Sequence, residues 1–328
     1  MKVLVTGGAG YIGSHTTREL IKAGYETLVL DTLEAGSKQA VGNIPLWQGS
    51  ITDDELLERL FQQEKPEAVI HFAALKAPGE SMKRPGDYFR TNVGGTVALL
   101  DAMVRHHTRF IVFSSSCSIF GTPEHLPVSE DAPVHPESVY GETKLMGETI
   151  LKWYDVTKGI RSSSLRYFNA AGAALDNSLG ENWDHTHNLI PLVMKAALGV
   201  APSIGVFGTD YPTRDGTAIR DYIHVVDLAT AHVKALEQLT REDRSTAYNL
   251  GTGTGYSVQE VVTAAKRVSG VDFKVEYQPR RPGDPAAIWA DCSKAERELG
   301  WKAQYGLDTI LETAWRWHST HLASFESL

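Results

Sequence analysis

Residues 2–31 read as a strand, a glycine turn, a helix, a second strand and an acid, and no other stretch constrains the fold so tightly. Lys2 to Thr6 (KVLVT) is a short apolar run of the kind buried inside a parallel sheet. It enters Gly7-Gly8-Ala9-Gly10-Tyr11-Ile12-Gly13, and a helix follows to about Ala23. Thr27 to Leu30 forms the second strand, which ends at Asp31. Gly7, Gly10 and Gly13 are spaced three apart, unlike the G-x-G-x-x-G pattern, but the physics is shared. Small residues let the backbone approach a pyrophosphate at the positive end of a helix. Asp31 lies 18 residues beyond Gly13, near the ~20 at which an acid meets ribose hydroxyls. An acid there repels a 2′-phosphate, so the pattern predicts NAD rather than NADP. No Gly-Lys-Ser/Thr follows the turn, which excludes a P-loop.

Further α/β units continue the pattern. Asp53 to Gln63 reads as helix, Ala68 to Ala74 (AVIHFAA) as strand, Asp87 to His106 as helix and Arg109 to Ser115 (RFIVFSS) as strand. Continuous apolar strands alternating with helices predict an α/β fold, a Rossmann-like doubly wound parallel sheet covered on both faces. Ligands on such sheets sit at the carboxyl ends of the strands. Phe72-Ala73-Ala74, Ser114-Ser115-Ser116 and Asn169 fall at those ends.

Tyr140 and Lys144 stand four apart in Tyr-Gly-Glu-Thr-Lys, and the helical stretch that follows puts them on one helix face. A phenol titrates near ~10 and is a poor base at neutral pH. An ammonium one turn away favours the phenolate, which would poise Tyr140 to accept a proton from an alcohol being oxidised. A surface Tyr–Lys pair is the bland alternative; the nucleotide-binding context argues against it. No Gly-x-Ser-x-Gly elbow is present, so Ser114 to Ser116 are expected to hydrogen-bond rather than attack.

The 328 residues suffice for two domains. A net charge of −8 with no long basic run argues against nucleic acid or an anionic membrane as a main partner. Cys117 and Cys292 are the only cysteines, too few for a disulfide framework or a zinc pattern. His106-His107 and His185/His187 lack convincing ligand spacing, so no metal is expected. The start of the chain runs straight into the glycine turn, and no apolar run approaches the ~18–20 residues of a membrane span. A cytoplasmic location is the expectation.

Thr6 to Gly13 together with Tyr140-x-x-x-Lys144 resembles the extended short-chain dehydrogenase/reductase family. Within it, the chain is similar over nearly its whole length to the UDP-glucose 4-epimerases. HFAALKAPGES (His71 to Ser81), SSSCSIFG (Ser114 to Gly121), YGETKLMGE (Tyr140 to Glu148) and RYFNAAGA (Arg166 to Ala173) carry the resemblance. So do HNLIPLV (His187 to Val193), FGTDYPTRDGTAIRDYIHVVDLA (Phe207 to Ala229) and RRPGDPA (Arg280 to Ala286). The glycine turn and YxxxK are superfamily features; RYFNAAGA and DGTAIRDYIHVVDLA are much narrower.

The resemblance implies reversible C4 epimerisation of UDP-glucose and UDP-galactose with bound NAD, in a homodimer. Tyr140 would take the 4-hydroxyl proton, Ser116 would hydrogen-bond that hydroxyl, and Lys144 would hold the nicotinamide ribose. The NAD site would include Gly7, Gly10, Tyr11, Ile12, Gly13, Asp31, Ser50, Ile51, Phe72, Ala73, Ala74, Lys76, Asn92, Ser114 and Phe168. The UDP-sugar would meet Lys76, Asn169, Asn188, Leu189, Phe207, Arg220, Tyr222, Arg281 and Asp284, with Ile288 gating the sugar pocket. Arg220 and Arg281 suit a diphosphate. The chain departs from the family pattern at Ser50 (usually Asp), Phe120 (Tyr), Val139 (Pro) and Thr32 (Asn). None of these removes a catalytic group; Ser50 and Thr32 bear on cofactor affinity. A branched aliphatic at Ile288 argues against the rival substrates, N-acetylated or uronic UDP-sugars. Cys117-Ser118 after Ser116 argues against a dehydratase, and retention of Tyr140 and Lys144 against a nonenzymatic NAD-binding regulator.

The expected organisation is an NAD-binding domain over 1–175 and a smaller C-terminal α/β UDP-sugar domain over 176–328, with the chain crossing back to the first. Asp176 to His187 is polar and turn-rich, fit to lie over the substrate. Asn188 to Leu198, Val225 to Leu239 and Asp308 to His321 read as helices. AYNLGTGTG (Ala247 to Gly255) looks like a second nucleotide turn, but no acid-ended strand follows and Ser257-x-x-Glu260 is a capping box, so its expected role is structural.

Overall fold

A computed structural model describes residues 1–183, 186, 188–281 and 284–322. The first half runs Lys2–Thr6 (β1), Tyr11–Lys22 (α1), Glu26–Asp31 (β2), Lys38–Val41 (α2), Leu46–Gln48 (β3), Asp54–Glu64 (α3) and Ala68–His71 (β4). Short helices Pro78–Ser81 (α4) and Pro85–Tyr88 (α5) lead through a π-helical turn, Phe89–Gly94, into Gly95–Arg105 (α6). Phe110–Ser114 (β5), Val139–Lys158 (α7), Arg161–Tyr167 (β6) and Asn169–Ala171 (β7) follow. Beyond them lie Leu189–Ala197 (α8), Ile204–Phe207 (β8), Ile219–His224 (β9), Val225–Glu242 (α9), Thr246–Leu250 (β10) and Gly255–Ser257 (β11). Val258–Ser269 (α10), Val275–Gln278 (β12), Ala287–Ile288 (β13), Ser293–Leu299 (α11) and Leu307–Thr320 (α12) complete the described chain.

The main sheet has seven strands in the order β10-β6-β5-β4-β1-β2-β3, all parallel. It is the Rossmann-like doubly wound sheet expected from the alternation. Its strands are apolar on both faces because both are covered. Val3, Val5, Ile70 and Val112 pack with residues of α9 on one side, and Leu4, Leu28, Val69 and Ile111 pack with Leu57, Leu60, Leu99 and Met103 on the other. Full burial of such a side chain is worth about 1.5–3 kcal/mol, and the register cannot slip without exposing the row. β10 lies at one edge of this sheet although it follows α9, so residues 225–250 pack with the first half of the chain.

A second sheet pairs β9 with β11 (antiparallel), β13 and β7 (both parallel). A separate pair, β8 with β12, is parallel. Ile190, Val193 and Met194 of α8 share a core with Val261 and Ala265 of α10 and Ile310 and Leu311 of α12. The capping box at Ser257 and Glu260 is formed on both arms and starts α10.

Two elements end earlier than the apolar runs suggest. β4 stops at His71, not Ala74, because the N–H groups of Phe72 and Ala73 both turn to the Thr6 carbonyl, at 2.9 and 3.1 Å. Residues 87–106 are not one α-helix; the π turn interrupts them. A Cβ on Gly95 would stand 2.6 Å from the Ile51 side chain, so glycine lets the helix pack there without displacing it. The π turn lets the Asn92 side chain bond the Leu75 N–H (2.8 Å) and carbonyl (3.0 Å) and reach Thr143 (3.0 Å).

Candidate active site

The carboxyl ends of β1, β4 and β5 converge with the start of α7. Ser138 caps α7 by accepting the Gly141 N–H, and Ser81 accepts the Tyr140 N–H at 3.0 Å, so the first turn is fixed on two sides. Tyr140 and Lys144 follow one turn apart, 8% and 4% exposed. The Lys144 ammonium donates to the Ser114 carbonyl at 2.7 Å and lies 5.8 Å from the Tyr140 ring centre. Ser116 caps the short 3-10 turn Cys117–Ile119, bonding the Ser118 N–H and hydroxyl at 3.1 Å each, and its hydroxyl is close enough to the Tyr140 phenol to favour the phenolate. β5 thus delivers the Ser114 carbonyl and the Ser116 hydroxyl, and α7 delivers the phenol and the amine.

The electrostatics differ from the sequence expectation. Lys144 was expected to pull the Tyr140 pKa down; instead burial drives it well up, the neighbouring Tyr167 adds to the rise, and only the Ser116 hydrogen bond opposes it. Burial also lowers the Lys144 ammonium to about 8. Both groups pay desolvation, and the Lys144 charge goes to a carbonyl dipole rather than to the phenol.

The glycine turn forms a cradle that side chains would fill. Gly7 has φ +72°, and a Cβ there would meet the Ala73 nitrogen at 2.7 Å; one on Gly13 would strike the Gly7 carbonyl. α1 begins at Tyr11 with neither a side-chain cap nor an acid in its first turn, so its leading N–H groups face the cradle. The Asp31 carboxylate accepts the Ala9 and Leu33 N–H groups, each at 2.9 Å, which fixes it beside the turn. This arrangement fits a dinucleotide: a helix end for the pyrophosphate, an anchored acid for a ribose.

The other expected cofactor residues divide by what their side chains do. Asn92 and Ser114 are at the convergence point, Ser114 with its hydroxyl 2.6 Å from that of Tyr167. Phe168 is buried with Ile119, Phe120 and Ile288 beside it. The Ile51 side chain is in the core with Leu99, which leaves its backbone to serve a ligand, and the partly buried Phe72 ring packs on His232 at 4.6 Å. Ser50 bonds Thr52 at 2.8 Å, Ala74 is half-buried and Lys76 is exposed.

On the second sheet, register places Asn169 beside Tyr222 and Arg220 beside Ile288. Asn169 donates to the Asp221 carbonyl at 2.9 Å. Arg220 lies 3.4 Å from Asp284, and the Arg281 guanidinium stacks on Phe207 at 3.7 Å. Asn188 and Leu189 open α8, and Tyr222 is buried behind them. Phe168 and Ile288 lie in one packed cluster with Ile119 and Phe120, which joins the end of the first sheet to β13 of the second.

Residues absent from the sequence reading hold this site together. Asp221, fully buried, accepts N–H groups from Thr252 (2.9 Å), Gly253 (3.2 Å) and Ala290 (3.1 Å), so the second glycine turn wraps a carboxylate of the protein itself. Beneath Ser116, Glu148 accepts from Ser115 at 2.5 Å and from Arg166 at 2.6 Å. The only sequence signal for either was an acid inside an otherwise apolar or glycine-rich motif. Among the described residues no three His, Cys, Asp or Glu side chains are placed to hold a metal; His185 and His187 lie outside them.

A family model described as GDP-mannose 4,6 dehydratase matches residues 4–314. The UDP-glucose 4-epimerase of Lactobacillus helveticus is 45% identical over 328 residues, covering 99% of each chain. The Brucella ovis UDP-glucose 4-epimerase, solved in complex with NAD, is 46% identical with a TM-score of 0.93, over 96% of this chain and 97% of that one. The Stenotrophomonas maltophila UDP-glucose 4-epimerase, solved with bound NAD and formylated UDP-arabinopyranose, is 42% identical with a TM-score of 0.96, over 99% of each.

Proposed function

Because this chain belongs to the UDP-glucose 4-epimerase family, we propose that its Tyr140, Ser116 and Lys144 carry out reversible inversion at C4 of a UDP-hexose. The reaction interconverts UDP-glucose and UDP-galactose through a transient 4-keto sugar, with NAD as cofactor. NAD, when bound, accepts the C4 hydride and returns it to the opposite face. Tyr140 takes the 4-hydroxyl proton as the C–H bond breaks and gives it back after the sugar turns. Ser116, whose hydroxyl is near enough to favour the phenolate, shares that proton and orients the hydroxyl. Lys144, pinned to the Ser114 carbonyl, supplies buried positive charge behind the phenolate. Gly7, Gly10 and Gly13 would admit the pyrophosphate and Asp31 the adenosine ribose.

Arg220 and Arg281 supply the diphosphate anchor in this reading, with Asn169, Asn188, Leu189, Phe207, Tyr222 and Asp284 around the uridine. Anchoring through UDP leaves the sugar free to rotate, which inversion requires. Ile288, 6% exposed and packed on Phe168, gives the sugar side a firm aliphatic wall, which favours an unsubstituted hexose.

The observation that carries the reading is the buried Tyr140 phenol one turn from the buried Lys144 ammonium, which is held on the Ser114 carbonyl at the end of β5. The test is turnover of UDP-galactose to UDP-glucose by the purified protein, with NAD sought in the denatured sample. No epimerisation and no nucleotide would end it. We also propose a cytoplasmic homodimer. Trp153 (60% exposed) and Val156 (71% exposed) leave an apolar strip on α7 that a second copy would cover. Two free cysteines suit a reducing compartment, and among the described residues no helix is long and apolar enough to cross a membrane. Sedimentation of wild type against Trp153→Glu decides the dimer.

A further inference from the structure

Residues 172–183 are clamped along α1. Tyr11 donates to the Gly172 carbonyl at 2.6 Å, Arg18 reaches Ser178, and the Trp317 indole donates to the Glu181 carbonyl at 3.1 Å. With α1 on one side and Trp317 of α12 on the other, the Glu181 carboxylate lies near enough to Tyr11, in the first turn of α1, to act on its phenol. Glu181 is only 4% exposed, and its Oε1 is buried with no hydrogen-bond partner. The Thr186 hydroxyl meets the carboxylate, and the exposed Lys76 lies near enough to act on its charge. A buried carboxylate oxygen without a donor costs the folded chain stability, and such a cost persists where function needs the group.

Resting on the reading above, we propose that Glu181 is a further binding residue, whose Oε1 accepts a hydrogen bond from a ligand hydroxyl. An acceptor beside a phosphate-binding helix end excludes the phosphates themselves, which offer no hydrogen at neutral pH. It calls for a vicinal-diol hydroxyl, from either the cofactor ribose or the substrate hexose. Burial pushes the Glu181 pKa up, and the nearby Lys76 charge opposes the rise; the unpartnered oxygen can accept a hydrogen bond in either protonation state.

The test compares Glu181→Leu with Glu181→Gln in the holoenzyme. Leu fills the space without an acceptor; Gln keeps one carbonyl oxygen. Three quantities are read: thermal unfolding, the rate at which the holoenzyme releases NAD, and KM for UDP-galactose. The expected result is a Leu variant at least as stable as wild type. It releases NAD about tenfold faster if the donor is the ribose, or shows about tenfold higher KM if the donor is the hexose, with Gln recovering most of the loss. Leu within about threefold of wild type in both arms overturns the proposal, as does a Leu variant that is merely less stable. Wild-type turnover of UDP-galactose, measured alongside, reports separately on the epimerase reading.

Discussion

In the first sheet, Asp31, Asn92 and Lys144 are each tied to main-chain partners of the protein at 2.7–3.0 Å. Around β9 the ion pairing is longer: Arg220 donates to the Ile219 carbonyl at 2.8 Å but meets Asp284 only at 3.4 Å, and Arg281 lies flat on a phenyl ring. The cofactor side is pre-set, and its groups gain little by moving. On the proposed substrate side, the 3.4 Å ion pair of Arg220 and the ring stack of Arg281 are the contacts a diphosphate would outcompete, because a charge-assisted hydrogen bond is worth about 1.5–3 kcal/mol and a long, partly exposed pair about 0–1 kcal/mol. A cofactor used and regenerated in each cycle needs the first arrangement. A substrate that must leave needs the second.

The largest effect should come from acid, and it strikes both regions. Burial lowers His71 and His318 to about 3, and His15, His224 and His232 to about 4. The unfolded chain takes up these protons near pH 6.5, the folded chain only far below it. The unfolded state therefore binds more protons across that window, and stability falls as pH drops, by up to about 1.4 kcal/mol per group per pH unit. Unfolding well above pH 4 is the expected outcome of equilibrium denaturation followed by circular dichroism. If the two regions are cooperative, tryptophan fluorescence, which reports mostly on residues 183–317, follows the same curve. Separate transitions would divide them.

Next in size is the chemistry. Tyr140→Phe should lower kcat by about 10²–10⁴-fold, the usual contribution of a positioned proton acceptor, with NAD still bound and the fold intact. Loss of NAD in this variant would mean that the phenol belongs to the pre-set cofactor region rather than to the reacting centre.

The two regions were also unequally legible in the sequence. The first follows from periodicity: apolar strands, a glycine turn and an acid at fixed spacing leave one topology open. What periodicity missed there was tertiary. The end of β4 depends on how Phe72 and Ala73 fold back on Thr6, and the π turn depends on Gly95 meeting Ile51. Tyr140 and Lys144 were visible as a spacing, but the rise of the phenol pKa depends on burial, which no spacing reveals. In the second region the helices and the Ser257 capping box were legible from the residues, but the site was reached through resemblance. Its short strands β7, β11 and β13 have two or three residues each, too few for a periodic signal, and Asp221 ties two of their loops together through three N–H groups on one carboxylate.

A paired substitution measures the contrast directly. Gly13→Ala drives a methyl into the Gly7 carbonyl and should abolish NAD retention while costing about 1–3 kcal/mol in stability, seen by co-purified nucleotide and thermal melting. Arg220→Ala should raise KM for UDP-galactose about 10- to 100-fold, leaving NAD in place and kcat within a few fold. Should Arg220→Ala also release NAD, the loose region would be supporting the rigid one.

The smallest effect sharpens the comparison most. Ile288 contributes to a packed cluster with Phe120 and Phe168, so Ile288→Val removes one methyl at a cost of about 0.5–1.5 kcal/mol. Its neighbour in register is Arg220, so the change falls on the sugar side of the diphosphate anchor. A pocket discriminates against one extra methylene by about 1–3 kcal/mol, which bounds what a single methyl can relax. The ratio of kcat/KM for UDP-N-acetylgalactosamine to that for UDP-galactose should therefore rise only about two- to tenfold, with NAD release unchanged. An unchanged ratio would move the wall that selects the sugar elsewhere. A change in NAD release would show that Phe168, which Ile288 packs against, transmits sugar-side packing to the cofactor, and the two regions would have to be treated as one.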